Sequence, residues 1–227
     1  MPRSRPADAR VRVAASVSLD LLCFSARNDR LKLLVRPSTG RSPRAEVPWR
    51  TLDAARSLTA EARRFATTLL GAAPSWMTPV ATLGDGSAHP SGAPLSIAYA
   101  VLAAADDAPP PGLSWVALAT LPSLSARQVE AVGIGLEALR ERVTFAPIAF
   151  RMLPAAFTLS ELQRIYELLL DRPLHKASFR RALQASGVVA PTEEWRSEGR
   201  GRPARLYRYA PPKRRPLRRP VRFDLLG

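Results

Sequence analysis

Residues 144–154 read T-F-A-P-I-A-F-R-M-L-P, residues 158–184 read T-L-S-E-L-Q-R-I-Y-E-L-L-L-D-R-P-L-H-K-A-S-F-R-R-A-L-Q, and residues 199–209 read G-R-G-R-P-A-R-L-Y-R-Y. Thr158 and Glu161 have the spacing of a capping box, in which each side chain satisfies the other residue's free backbone N–H, and Phe157 stands where a hydrophobic staple would. A helix is expected from Leu159, burying Leu159, Leu162, Ile165, Tyr166, Leu169 and Leu170, and Pro173 ends it because the ring cannot continue the ladder. A second helix begins near His175. Phe179, Leu183 and Ala182 face inward there, which leaves Lys176, Ser178, Arg180, Arg181 and Gln184 as a polar face. Leu206, Tyr207 and Tyr209 then read as a returning strand after Arg200-Gly201-Arg202-Pro203, a four-residue match to the core of an AT-hook. Two helices followed by a basic hairpin is the order of a winged helix-turn-helix, in which one helix enters the major groove and the hairpin reaches the neighbouring backbone or minor groove.

The charge agrees with a polyanionic partner. The chain has 227 residues and a formal net charge of +15, and each Lys or Arg set against a phosphate releases condensed counterions. From Arg196 to Arg222 eleven basic residues face one acid, Glu198. Lys176, Ser178, Arg180 and Arg181 are the candidate major-groove residues, and Arg200, Arg202 and Arg205 the candidates for phosphate or minor groove. Double-stranded operator DNA is the expected partner, with Pro211 to Arg222 a basic tail that adds affinity without sequence preference. A GC-rich coding bias toward Arg and Ala is the alternative source of the charge. One cysteine, Cys23, excludes an internal disulfide and a cysteine-based zinc site, and no apolar run has signal-peptide or membrane-spanning length. A cytoplasmic protein with no membrane partner is expected.

Upstream, apolar runs at Val17–Phe24 and Leu31–Val35 flank A-R-N-D-R, a hairpin signal. Residues 53–70 read as a helix closed by Gly71 with Pro74 beyond. Met77–Leu83 and Leu95–Leu102 read as two strands around G-D-G-S-A-H-P-S-G, and Leu113–Leu118 as a further strand after a proline-rich loop. Ser125–Arg142 carries Val129, Val132, Leu136 and Leu139 as an apolar stripe, with Arg127, Glu130, Glu137, Arg140 and Glu141 outside it. Gly133 and Gly135 each weaken that helix by about 1 kcal/mol unless they permit a close crossing with another helix. The expected division is a basic arm over 1–14, a first domain over 15–122, a linking helix and connector over 123–152, the winged helix-turn-helix over 153–210 and a tail over 211–227.

With these residues the chain resembles the Nudix-related transcriptional regulators, in which a Nudix-like domain senses a nucleotide and a C-terminal winged helix binds operator DNA. The matches are F-A-P-I-A-F-R-M-L-P-A-A-F-T-L-S-E-L-Q-R-I-Y-E-L-L-L-D-R-P-L-H-K-A-S-F-R-R-A-L and R-P-A-R-L-Y-R-Y. Upstream the agreement is in element order: the L-D-L-L-C-F strand, the helix after Pro48, and the G-D-G-S-A-H-P-S-G hairpin before L-S-I-A-Y-A. The resemblance implies an α+β chain, a Nudix-like mixed α/β/α sandwich followed by the winged helix-turn-helix. It also implies a bacterial regulator that responds to ADP-ribose or another NAD-related metabolite. A homodimer follows from operator symmetry and from the resemblance together.

The Nudix box, G-x5-E-x7-R-E-U-x-E-E-x-G-U with U aliphatic, lies on this chain without gaps. Arg64 and Gly71 match, while its first Gly and its four Glu fall on Arg50, Arg56, Phe65, Thr68 and Leu69. Hydrolysis by that motif needs carboxylates to hold divalent cations, and hard cations need oxygen ligands. No catalytic residue, metal site or cofactor is therefore expected. Arg50, Arg56 and Arg64 are the candidate ligand-binding residues, since guanidinium groups bind phosphates directly. A domain that only dimerises is the alternative. A diverged Nudix hydrolase of nucleoside diphosphate derivatives and a nonspecific nucleic-acid-binding protein are the competing functions. His89 and His175 have no acid placed near them in sequence, and the four tryptophans, Trp49, Trp76, Trp115 and Trp195, read mostly as core or domain-edge residues, with Trp49 beside Arg50 a candidate to stack on a base.

Overall fold

The first strand is buried on both faces. β1 (Val17–Arg27) directs Leu19, Leu21 and Cys23 to one side and Leu22, Phe24 and Ala26 to the other, so its middle, Leu21–Phe24, is an apolar run and not an alternation. In the computed structural model, which describes residues 16–38, 44–52, 57–84, 89–104, 108–144, 146–197 and 203–210, this strand is the centre of a six-stranded mixed sheet. β2 (Arg30–Val35) returns antiparallel through Asn28 and Asp29, with φ of 50° and 55°, the paired left-handed conformation of a tight hairpin. β3 (Trp49–Thr51) pairs antiparallel with the start of β1. α1 (Leu58–Leu70) follows, then β4 (Trp76–Leu83) and β5 (Leu95–Leu102), an antiparallel pair whose second member runs parallel to β1. β6 (Ser114–Ala117) closes the far edge against β2, giving the order β4-β5-β1-β2-β6.

Both expected hairpins and the later strand are present. α1 begins at Leu58, where Ser57 caps it by accepting from the Ala60 N–H, and ends at Gly71 with φ 74°; residues 53–56 lie outside the described set. Ala62 and Ala66 of α1 pack on Leu19, Leu21, Cys23, Tyr99 and Val101. Burial among these side chains pushes the Cys23 thiol up to about 12.

α2 (Ala126–Val143) covers the opposite face of the sheet and also touches the C-terminal helices. Its buried side is Gln128, Ala131, Val132, Gly135, Leu139 and Val143, rotated from the expected stripe. Val129, expected inward, is 57% exposed, and Arg127, expected outside, is 1% exposed. The small residues decide the rotation. A Cβ on Gly135 would come within 2.6 Å of Leu22 Cδ1, so the helix lies closest to β1 along the Ala131–Gly135 line and Val129 falls at the solvent edge. The close approach is to a strand, not to the helix crossing that Gly133 and Gly135 suggested, and Gly133 meets nothing within 4 Å. Arg127 is accommodated because its Nη1 donates to the Ala93 carbonyl at 2.7 Å and to Ser96 Oγ at 3.3 Å.

A 3-10 segment, Pro147–Met152, then leads to α3 (Leu159–Leu170), α4 (Lys176–Ser186) and the hairpin of β7 (Val189–Arg196) and β8 (Ala204–Tyr209). One apolar core runs from Leu22, Phe24 and Leu139 through Ile148, Phe150 and Phe157 to Leu162, Ile165, Phe179 and Leu183. Among the described residues no helix is long and apolar enough to cross a membrane. The basic arm over 1–14 and the tail over 211–227 lie outside the described set.

The capping box at Thr158 is formed: its Oγ1 accepts from the Glu161 N–H at 3.1 Å, and Glu161 Oε2 accepts from the Thr158 N–H at 2.6 Å. Thr158→Ala is expected to cost about 1 kcal/mol of stability, read from the midpoint of urea denaturation followed by circular dichroism. An unchanged midpoint would mean that the cap contributes nothing to the folded domain.

Candidate nucleic-acid interface

The turn between α3 and α4 is held by side chains that sequence reasoning passed over. Glu167 Oε1 accepts from the Leu174 N–H at 2.9 Å, and Gln163 Nε2 donates to the Leu174 carbonyl at 2.9 Å and to Glu167 at 3.0 Å. These bonds fix where α4 starts relative to α3. Asp171 caps α3 in the left-handed conformation at φ 56°, Leu174 is buried beneath the turn, and His175 caps α4 by accepting from the Ser178 N–H. The Gln163–Glu167 spacing of i, i+4 was the available signal.

α4 is anchored by Phe179 and Leu183, both without exposed surface, and the Phe179 ring meets Tyr166 edge-on at 5.5 Å. Burial first, then the neighbouring Tyr209 hydroxyl, holds the Tyr166 hydroxyl well above its ordinary value, so it stays neutral in this core. With Phe179 and Leu183 inward, Arg181 and Gln184 point outward by helical geometry, and both are exposed. Lys176 is exposed in the first turn. Arg180 is half-buried, and its Nε has no hydrogen-bond partner among the described residues. Ser178 Oγ lies 3.1 Å from His175 Nδ1, so this hydroxyl belongs to the cap as well as to the outer face.

The hairpin is joined to α3 from two directions. Phe157 exchanges both backbone hydrogen bonds with Tyr207, at 2.9 and 2.7 Å, and adds a third strand position to β7 and β8. Arg196 Nη1 donates to Glu161 Oε1 at 2.7 Å, so one carboxylate serves both the helix cap and the wing. Arg205 is tied into the hairpin, with Nε donating to the Thr192 carbonyl at 3.0 Å and Nη2 lying 3.6 Å from the fully exposed Glu193. Arg200 and Arg202 lie outside the described residues. Trp195, expected in a core or at a domain edge, is 59% exposed: β7 turns its neighbour Arg196 toward Glu161, and strand alternation sends the indole the other way.

In the first domain Arg50 and Arg64 converge on a carboxylate. Glu61 is 1% exposed and lies 2.8 Å from Arg64 Nη2 and 3.8 Å from Arg50 Nη1, with the Arg50 guanidinium 5.6 Å from the Phe65 ring centroid. Arg56 lies outside the described residues. Phe65, Thr68 and Leu69 lie on α1. His89, apparently isolated in the sequence, is paired by the fold: its Nε2 lies 3.1 Å from Asp20 Oδ2, both buried, and its Nδ1 2.7 Å from Ser91 Oγ. Trp49, half-buried, packs edge-on to this imidazole at 5.5 Å and its indole N–H donates to Glu46. No short-range signal links Asp20 to His89, because parallel pairing of β1 with β5 makes the contact.

Residues 149–209 match the family model described as the NrtR DNA-binding winged helix domain. Over 72 residues the chain is 42% identical to the ADPR responsive transcriptional repressor NtrR of Acinetobacter baylyi, a match that takes in 32% of this chain and 28% of that protein. The structure of Shewanella oneidensis NrtR complexed with a 27mer DNA superimposes with a TM-score of 0.71 at 24% identity, covering 86% of this chain and 94% of that one. A MutT/nudix family protein from Enterococcus faecalis reaches 0.66 at 14% identity over 86% and 88% of the two chains. At these identities the superpositions establish the fold. The family match is confined to residues 149–209, and the chain as a whole shares the fold of Shewanella oneidensis NrtR, a mixed-sheet sandwich followed by two helices and a β-hairpin.

Proposed function

We propose that this protein is a transcription regulator that binds operator DNA as a homodimer and responds to ADP-ribose or a related nucleotide through its first domain. The observation that carries it is the outer face of α4. Lys176, Arg180, Arg181 and Gln184 sit on a helix whose opposite side is locked by Phe179 and Leu183, beside a wing fastened to the same domain. Arg181 faces straight away from the core and reads a base edge, Lys176 and Arg180 meet flanking phosphates, and Arg202 and Arg205 take the adjacent backbone. Residues 15–122 sense and 153–210 bind. The likeness of the C-terminal part to the Acinetobacter ADPR responsive transcriptional repressor supports the same pairing of activities.

The first domain acts by binding and not by hydrolysis. Phe65, Thr68 and Leu69 offer no carboxylate to hold magnesium, whereas Arg50 and Arg64 present guanidinium groups that a pyrophosphate satisfies without a bridging metal. Glu61 keeps the two guanidiniums together in the unliganded protein.

Selection of bound sequences from random DNA by the full-length protein is expected to return a palindromic motif held about a thousandfold more tightly than a scrambled control. Arg181→Ala should relax the preference at one position of each half-site at a cost of about 1–3 kcal/mol, whereas truncation after Tyr209 should weaken all sequences alike. Recovery of no motif, with equal affinity for random duplex and RNA, would leave a nonspecific nucleic-acid-binding protein. For the sensor, ADP-ribose is expected to raise the melting temperature equally with magnesium and with EDTA, and the Arg50→Ala, Arg64→Ala double variant should lose the shift. A shift that needs the metal, or none at millimolar nucleotide, rules out direct guanidinium recognition.

A further inference from the structure

Of the described residues, Trp195 on β7 is the most exposed large apolar side chain. Single exposed aromatics are common on protein surfaces, so the setting must carry the case. Its cross-strand partner is Arg205, whose guanidinium carbon is 6.0 Å from the indole ring centroid and whose Nε is held by the Thr192 carbonyl. The wing backbone therefore fixes a cation beside the ring. The next residue, Arg196, points the other way into its bonds with Glu161 and the Ala156 carbonyl, so the indole cannot turn toward the domain without a break in strand alternation. Glu193 and Glu194, both exposed, precede Trp195 and repel phosphate from that part of the strand. An apolar face with a fixed guanidinium beside it matches the alternation along a groove wall, where sugar edges are apolar and phosphates anionic. The sequence from Arg196 onward, with eleven basic residues against one acid, directs this surface to a nucleic acid.

We infer that Trp195 is a DNA-contacting residue whose indole face lies on deoxyribose at the groove wall while Arg205 beside it takes the adjoining phosphate. The inference rests on the DNA-binding function proposed above. Arg205 gives up a water-exposed pairing with Glu193 to make the new contact, which costs little, since exposed ion pairs are weak.

The test uses the full-length protein with a duplex recovered by selection. Trp195→Ala is expected to bind about tenfold more weakly and Trp195→Phe within about threefold of the parent, with the salt dependence unchanged because no cation is removed. Arg205→Ala should instead lower the slope of log affinity against log salt by about 0.9. The melting temperature of Trp195→Ala should stay near that of the parent, since the ring is mostly in solvent. The difference in acrylamide quenching between parent and Trp195→Phe isolates this indole, and saturating duplex should shield it. Affinity of Trp195→Ala within twofold of the parent, or quenching unaltered by DNA, overturns the inference while leaving the DNA-binding function standing. Loss of affinity that tracks dissociation of a dimer in ultracentrifugation also overturns it, by assigning Trp195 to a second copy of the chain. Failure of the parent to bind any duplex overturns both.

Discussion

The contact between Gly135 of α2 and Leu22 of β1 is the constraint on which the rest of the molecule depends. With no side chain at 135, the helix settles onto the sheet until Phe24 and Leu22 fill the space a Cβ would occupy. That closeness chooses which side of α2 is buried, and the choice has consequences at both ends. Toward its start it drives Arg127 into the protein, where the Ala93 carbonyl and Ser96 hydroxyl become obligatory partners. Toward its end it places Leu139 and Val143 in the apolar core shared with Ile148, Phe150, Leu162 and Ile165. The position of the winged helix on the sandwich is thus set by the packing of a helix two residues of which are glycine.

Local rules made most of the C-terminal half legible. A capping box, a staple, a proline stop and the spacing of Phe179 and Leu183 are short-range signals with direct physical causes, and α3 and α4 follow them. The hairpins of the sheet were equally local. What the sequence concealed was made by non-local contact. Asp20 and His89 are 69 residues apart and meet because β1 and β5 run in parallel. The rotation of α2 was hidden because periodicity ranks Val129 above Ala131, whereas close packing against a strand favours the smaller side chain. The same periodicity sets Arg127 outside the stripe, although a buried guanidinium is tolerated when carbonyl and hydroxyl oxygens surround it.

In the candidate ligand region, residue identities were legible and their mutual arrangement was not. Arg50 and Arg64 stood out against the box, but nothing in the spacing announced that Glu61 would be nearly buried between them. A carboxylate so enclosed is costly unless cations compensate it, so the three groups are interdependent. The arginines orient the acid, and the acid keeps two like charges side by side. An entering phosphate must satisfy the same guanidiniums more fully than Glu61 does, and a diphosphate with several acceptor oxygens has the means.

The route between the two proposed sites is constrained by the layers. Arg50, Arg64 and Glu61 lie on the α1 side of the sheet, whereas α3 packs on the α2 side. Two ion pairs bridge the junction at the surface, Arg164 with Asp29 of the β1–β2 turn and Arg140 with Asp171 at the end of α3. Both carboxylates are largely exposed, and such pairs contribute about 0–1 kcal/mol each, too little to hold a domain in register. The apolar core holds it. Between Arg50 and α3 lie β1, whose Leu21, Leu22, Cys23 and Phe24 alternate between the two cores, and the Gly135 contact. Close-packed interiors of this kind transmit displacement because they cannot absorb it. A strand buried on both faces therefore serves here as the scaffold of the sandwich and as the boundary shared by its two apolar cores.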